Sequence, residues 1–316
     1  MHQLWGFGTA AVDFRITTAD YGEGYKEKLL AQQTVALGGG AVANCLVQAA
    51  RLGCAVGWLG KLGHDVIGQQ IIDLLRSEEI NCKEVLYSQT ACSPFNVAVY
   101  AGEGKRRVGG FLLPNALQTL TDDELFTLSK APQKGDWLAI EVGEIPLESC
   151  LKLARMVRQK GVRVALDVDL DPIRQCGADQ QITEALFAAA DLLIPNIHSL
   201  SSLYGEHSPQ ELCRLLYDRF GVPTVITAGA DGAYWIDRGG DLQHQPALPT
   251  AVKDTVGAGD AFHGGLLCAL TEERPLATAV LLGSACASLN CAAFGAREGM
   301  PDRATVDTFL REKELL

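Results

Sequence analysis

Six short apolar runs punctuate this chain: Leu4–Gly8, Ala55–Gly60, Asp136–Glu141, the VRVALDVDLDP segment that starts at Val162, Leu192–Pro195 and Pro223–Thr227. Runs this short and this apolar, bounded by Gly, Pro or Asp, read as strands buried on both faces rather than on one. Between them lie helix-competent stretches. The segment from Ala41 is rich in Ala and Leu and is stopped by Gly53. Val66–Glu79 sets Ile67, Ile71, Leu74 and Leu75 on one stripe, and Leu147–Lys160 ends at Gly161. Strand, helix, strand, helix predicts an α/β chain with a central, mostly parallel sheet. In such sheets ligands bind beyond the carboxyl ends of the strands.

Two stretches break the alternation. FNVAVY, a GEGK turn and RRVGGFLL, within 93–113, read as a β-hairpin. With the polar stretch 14–37 the hairpin is expected to form a small sheet apart from the main layer. Lys105, Arg106 and Arg107 at its turn are either solvated hairpin charge or a contact for an anionic substrate. No repeat or low-complexity linker divides the chain, so one domain over 1–316 is expected. The net charge of −11 argues against a nucleic-acid groove. Ten cysteines are scattered singly, without CxxC, which reads as reduced thiols in a cytoplasm. There is neither a signal-like start nor an apolar run of the roughly 18 residues a membrane span needs.

The chemistry concentrates in Asp254–Leu270, DTVGAGDAFHGGLLCAL. Two carboxylates, Asp254 and Asp260, bracket a Gly-Ala-Gly turn that opens a helix. The leading amides of a helix lack intrahelical partners and sit at its positive end. Gly257 and Gly259 allow a close approach to an anion such as phosphate. A carboxylate beside such a hole repels the anion and makes sense as a base that deprotonates an attacking hydroxyl. The bland alternative is a tight turn with a helix cap. Elsewhere, Asp13 and Glu144 lie just beyond strand ends, where they could grip substrate hydroxyls or cap turns. Asp167, Asp169 and Asp171 could meet a hydrated Mg²⁺, bind hydroxyls or occupy a surface turn.

The whole string DTVGAGDAF resembles the C-terminal signature of the ribokinase-like (PfkB) family of carbohydrate kinases. Gly39-Gly40-Ala41-Val42-Ala43-Asn44 matches that family's GGxxxN. GKLGHDVIG, the Thr227–Gly232 turn and FGAREGMP follow in the family's order, so the resemblance runs from Gly8 to Pro301. It implies a three-layer α/β/α fold with a small β-sheet lid, and ATP-dependent phosphorylation of a sugar hydroxyl. Asp260 is then the general base, and the amides of Gly257, Ala258 and Gly259 form the anion hole. Asp13, Gly39, Gly40, Asn44 and Glu144 hold the acceptor. Asn196, Thr227, Gly229, Gly232 and Ser284 hold ATP with its Mg²⁺, while Asp254, Thr255 and Gly295 border a K⁺ site. A homodimer through the lid is also implied. Within the family, GGGAVAN, LDVD and HQPA with DTVGAGDAFHG are similar to ketose kinases of the fructose, sulfofructose and ketodeoxygluconate types. A nucleoside kinase of the same fold is an alternative, although the hairpin offers no run of aromatics to stack a base. The chain departs from the family at NxxE, reading Asn196-Ile197-His198-Ser199, which leaves a catalytically silent sensor as a second alternative.

Overall fold

The computed structural model describes residues 2–19, 30–101 and 106–315, with the backbone alone at 106 and 107. Eight strands form the main sheet, in the order Leu242–Gln245, Ala233–Ile236, Thr224–Thr227, Leu192–Pro195, Arg163–Val168, Trp137–Glu141, Leu4–Phe7 and Val56–Leu59. The last six run parallel, and at one edge Ala233–Ile236 pairs antiparallel with both of its neighbours. All six expected strands are present. LWGF, VGWL, WLAIE and LLIP are buried at every position, which requires cover on both faces. The cover comes from two groups of helices. Ala41–Arg51, Ala258–Thr271 and Leu276–Asn290 pack together, with Arg303–Glu312 behind the last; Leu147–Arg158 and Gln180–Ala188 pack together in the other group.

The small sheet orders its strands Ala31–Gly39, Ala11–Thr18, Phe95–Ala101 and Arg106–Leu112. The Ala11–Thr18 strand starts earlier than expected and places Asp13 in a strand rather than a turn, opposite Leu37 on one side and Asn96 on the other. Its start at Ala11 was missed because the strand lacks the uninterrupted apolar run that marks the buried strands. The Lys105 part of the hairpin turn, the side chains of Arg106 and Arg107, and the 20–29 part of the small-sheet segment lie outside the described residues.

Asp260 stands where it does because of glycines behind it. A Cβ on Gly264 would sit 2.5 Å from the Cys45 carbonyl, and one on Gly265 would sit 3.0 Å from Gly283 Cα. The Ala258–Thr271 helix is thereby wedged between the Ala41–Arg51 and Leu276–Asn290 helices, and its first turn reaches Asn44. All ten cysteines are free thiols. Among the described residues no helix is long and apolar enough to cross a membrane.

Candidate active site

Gly257 caps the Ala258–Thr271 helix with φ 76°, a left-handed conformation that glycine adopts without strain. The amide of Ala258 turns back onto the Thr255 carbonyl at 3.2 Å, and the Ala261 amide makes the first regular helical bond, to Gly257. The amides of Gly257, Gly259 and Asp260 find no partner among the described residues. The unspent donors at this helix start thus include Asp260's own amide, which the sequence motif did not single out, while the Ala258 amide is occupied within the turn.

Asp260 is half-buried among several charged groups. Asn44 Nδ2 donates to its Oδ2 at 2.7 Å. Burial pushes the Asp260 carboxyl up to about 7; the Asn44 bond opposes that shift, and the Asp167 and Asp169 charges add to it. Glu141 lies nearby, accepting the Thr9 amide at 2.7 Å, and burial drives its carboxyl up to about 8. One helical turn beyond Asp260, His263 Nδ1 lies 2.8 Å from Asp167 Oδ2, with both side chains buried. Burial alone lowers the His263 imidazole, but the Asp167 carboxylate, with the Asp260 and Asp169 charges adding to it, raises it overall. The pairing of His263 with Asp167 was not readable in the sequence, nor was that of Arg297, which donates to Asn44 Oδ1 at 2.6 Å. A histidine in an apolar helix and an arginine in a Gly-rich loop acquire partners only through tertiary packing.

His263→Leu removes the imidazole that pairs with Asp167. Breaking a buried pair in this way costs about 3–5 kcal/mol, to be read from urea unfolding at neutral pH. A raised imidazole contributes fully below the ordinary histidine range and loses its contribution as pH rises through the folded value. The gap between wild type and His263→Leu is therefore expected to narrow in alkaline buffer.

The expected acceptor residues converge from two strands of the small sheet, the Ala41–Arg51 helix and the loop after Trp137–Glu141. Asp13 Oδ1 accepts from Asn96 Nδ2 at 2.8 Å, across the small sheet. A Cβ on Gly39 would lie 2.2 Å from Asp13 Oδ2, and Gly40, with φ 92°, leads into the helix that carries Asn44. Glu144 accepts from Thr9 Oγ1 at 3.3 Å and from Asn115 Nδ2. Thr9, Asn96 and Asn115 therefore join the site, although no motif marked them.

Beside this cluster lies a cavity of about 770 Å³, lined by Asn196, Thr227, Gly229, Gly232 and Ser284 and closed toward the helix start by Ala258 and Gly259. Ser199 also lines it, with its hydroxyl turned onto the Asn196 carbonyl at 3.0 Å. Asn196 Nδ2 donates to Asp169 Oδ1 at 2.8 Å, so a carboxylate stands against the Asn of the NxxE pattern and lines the same cavity as Ser199. Asp254 accepts the Val256 amide at 3.1 Å and the Gly295 amide at 3.0 Å, which brings Asp254, Thr255 and the Gly295 loop together. Asp171 faces away from chemistry, taking the amides of Ile173 and Arg174 in a local turn.

The pfkB family carbohydrate kinase model matches residues 1–303. The chain is 29% identical over 327 aligned positions to aminoimidazole riboside kinase of Salmonella typhimurium, with 100% of this chain and 97% of that protein covered. It is 26% identical to ribokinase of Bacillus subtilis, with 98% and 100% covered. Among solved structures it is similar to Arabidopsis thaliana ribokinase complexed with ribose and ATP, at a TM-score of 0.84 and 25% identity, with 98% of this chain and 99% of that one covered.

Proposed function

From the premise that this chain belongs to the pfkB family of carbohydrate kinases, we propose that it transfers the γ-phosphoryl group of MgATP to a hydroxyl of a ketose or sugar acid, with Asp260 as the general base. One observation carries the reading: the half-buried Asp260 carboxylate stands at a helix start whose Gly257, Gly259 and Asp260 amides are unspent, beside a cavity of about 770 Å³. In phosphoryl transfer the protein chiefly positions the reactants and stabilises charge on the moving group. Asp260 takes the proton from the acceptor hydroxyl as that oxygen attacks phosphorus. The three amides then stabilise the equatorial oxygens, a preorganised donor set of the oxyanion-hole kind. Asp13, Gly39, Gly40, Asn44 and Glu144 hold the acceptor. Asn196, Thr227, Gly229, Gly232 and Ser284 hold the nucleotide, and Asp169 supplies the carboxylate that Ser199 lacks.

The oxygen-only donor set of Asp254, Thr255 and the Gly295 loop suits a hard monovalent cation, for which K⁺ is the proposed occupant. Exposed Val108, Phe111 and Leu112 on the outer strand of the small sheet support a homodimer through that sheet. A riboside acceptor is a second reading, favoured by the similarity to aminoimidazole riboside kinase. A silent sensor is disfavoured by the assembled Asp260 and amide set.

The test is a coupled ADP assay over ketoses, aldoses, sugar acids and ribosides, run in potassium and in sodium buffer. Acceptor-dependent ADP release with a ketose or sugar acid is expected, faster in potassium. Release with ribosides alone replaces the acceptor class, and nucleotide binding without release for any compound overturns the kinase reading.

A further inference from the structure

We propose that Arg297 is a positioning residue for the transfer step: it fixes the orientation of the Asn44 amide so that Asn44 donates to, rather than confronts, the Asp260 carboxylate. The inference rests on the reading of Asp260 as the base and adds a residue that no motif assigns. An Asn side chain offers donors at one end and an acceptor at the other, and its two orientations have nearly the same shape. A guanidinium only donates. Arg297 Nε lies 2.6 Å from Asn44 Oδ1, so that oxygen is held toward Arg297 and Nδ2 is left facing Asp260 Oδ2 at 2.7 Å. Turning the amide over would set donor against donor at Arg297 and oxygen against carboxylate at Asp260. Both bonds would be lost together.

Arg297 is itself clamped. Its Nη2 donates to the Gly39 carbonyl at 3.0 Å, and its own carbonyl accepts from Arg51 Nη1 at 2.6 Å. Arg51 is held in turn by Glu78, at 2.6 Å. A separate observation points to the same role. The chain carries a third glycine, Gly38, which GGxxxN does not require, and a Cβ there would lie 2.3 Å from Arg297 Nη1. Gly38 clears the space that the guanidinium occupies. Its neighbour Gly39 clears space for Asp13, so this short run seats an arginine on one face of the strand and the acceptor carboxylate on the other.

The consequence for Asp260 follows from what surrounds it. Asp167, Asp169 and Glu141 present carboxyls from the strand ends, Cys45 adds a buried thiol from the Ala41–Arg51 helix, and His263 and Arg297 are the facing cations. Within this mostly acidic cage the Asn44 N–H is the direct donor that favours the ionised carboxylate. Without Arg297 the amide loses its preference, and the carboxylate loses that donor part of the time.

The experiment compares wild type with Arg297→Met and Arg297→Lys in full-length protein labelled with carbon-13 at the Asp carboxyls. The Asp260 resonance is assigned by its loss in Asp260→Asn and titrated without any acceptor. Arg297→Met is expected to move that titration to higher pH and to lower kcat roughly 10- to 100-fold, the scale of one hydrogen bond to a charged group. The kinetics use the acceptor that gives the largest ADP release in the panel above, and KM for ATP is expected to hold. Arg297→Lys restores part of both effects. In an Asn44→Leu background, Arg297→Met is expected to add nothing. An unchanged Asp260 titration, or a full additional loss in the Asn44→Leu background, overturns the proposal. Should Arg297→Met fail to fold, Gly38→Ala displaces the guanidinium by its Cβ and must give the same titration shift, or the proposal fails. The titration is independent of turnover, so a failed base assignment for Asp260 would show separately, as retained turnover in Asp260→Asn.

Discussion

Asp260→Asn is expected to lower kcat by about 10² or more, the usual contribution of a positioned general base, while ATP binding stays close to wild type. The substitution preserves the fold for a specific reason. Asn44 Nδ2 donates to Asp260 Oδ2, and the carbonyl oxygen of an Asn at 260 can accept the same bond. Shape and packing survive, and only the basic site is lost. The cavity-lining residues Asn196, Thr227, Gly229, Gly232 and Ser284, proposed to hold ATP, lie on other elements, so isothermal titration with ATP should find an intact site. The wild-type pH profile belongs to the same prediction. Burial pushes the Asp260 carboxyl up to about 7, and only the ionised form accepts a proton. Turnover should therefore rise with pH through an acid limb near neutrality, and fall as pH drops through it. In Asp260→Asn that limb should vanish from the residual activity. Turnover at wild-type level in the variant would remove Asp260 from the mechanism.

What the sequence exposed and what it concealed divide along a physical line. The buried strands were readable because cover on both faces demands an uninterrupted apolar run, as in LWGF and WLAIE. Asp260 and the glycine turn were readable because a helix start built to meet an anion must be contiguous in sequence, and Gly257 with φ 76° is one residue of that local geometry. The strand holding Asp13 was concealed, since a sheet covering a binding site carries polar residues on one face and lacks the apolar run. Arg297, His263 with Asp167, Asn96 and Asn115 were concealed for a different reason. Each meets its partner across 29 to 253 positions of sequence, a separation set only by how the elements pack. The Asn196 turn lies between these cases. Its asparagine was expected to help hold ATP, but that Asp169 stands beside it is a fact of strand adjacency, Arg163–Val168 next to Leu192–Pro195.

Gly257→Ala should cost as much turnover as losing the base, and by a different route. Its φ of 76° is one that a side chain tolerates poorly, at about 1–3 kcal/mol for a held residue. The added Cβ would also meet the Ala296 carbonyl oxygen at 2.3 Å and Ala296 Cα at 2.8 Å. Those are backbone atoms and cannot step aside alone, so the turn and the Ala296 loop must separate. The amides of Gly257, Gly259 and Asp260 then lose their common aim. Removing one donor of an oxyanion hole typically costs about 10²–10³ in kcat, and a loss in that range is expected here in the coupled ADP assay. KM for the acceptor should change little, because Asp13, Asn96 and Glu144 are carried by other elements. Gly259→Ala is the matching control. A Cβ there meets nothing within 4 Å, so the helix should form as before, with similar thermal stability. Its methyl group projects into open space beside the cavity proposed for the nucleotide, and its effect should appear in ATP affinity as well as in kcat. If Gly257→Ala keeps full turnover, charge on the transferring group is stabilised elsewhere, because no set of amides aimed at one phosphate survives that displacement.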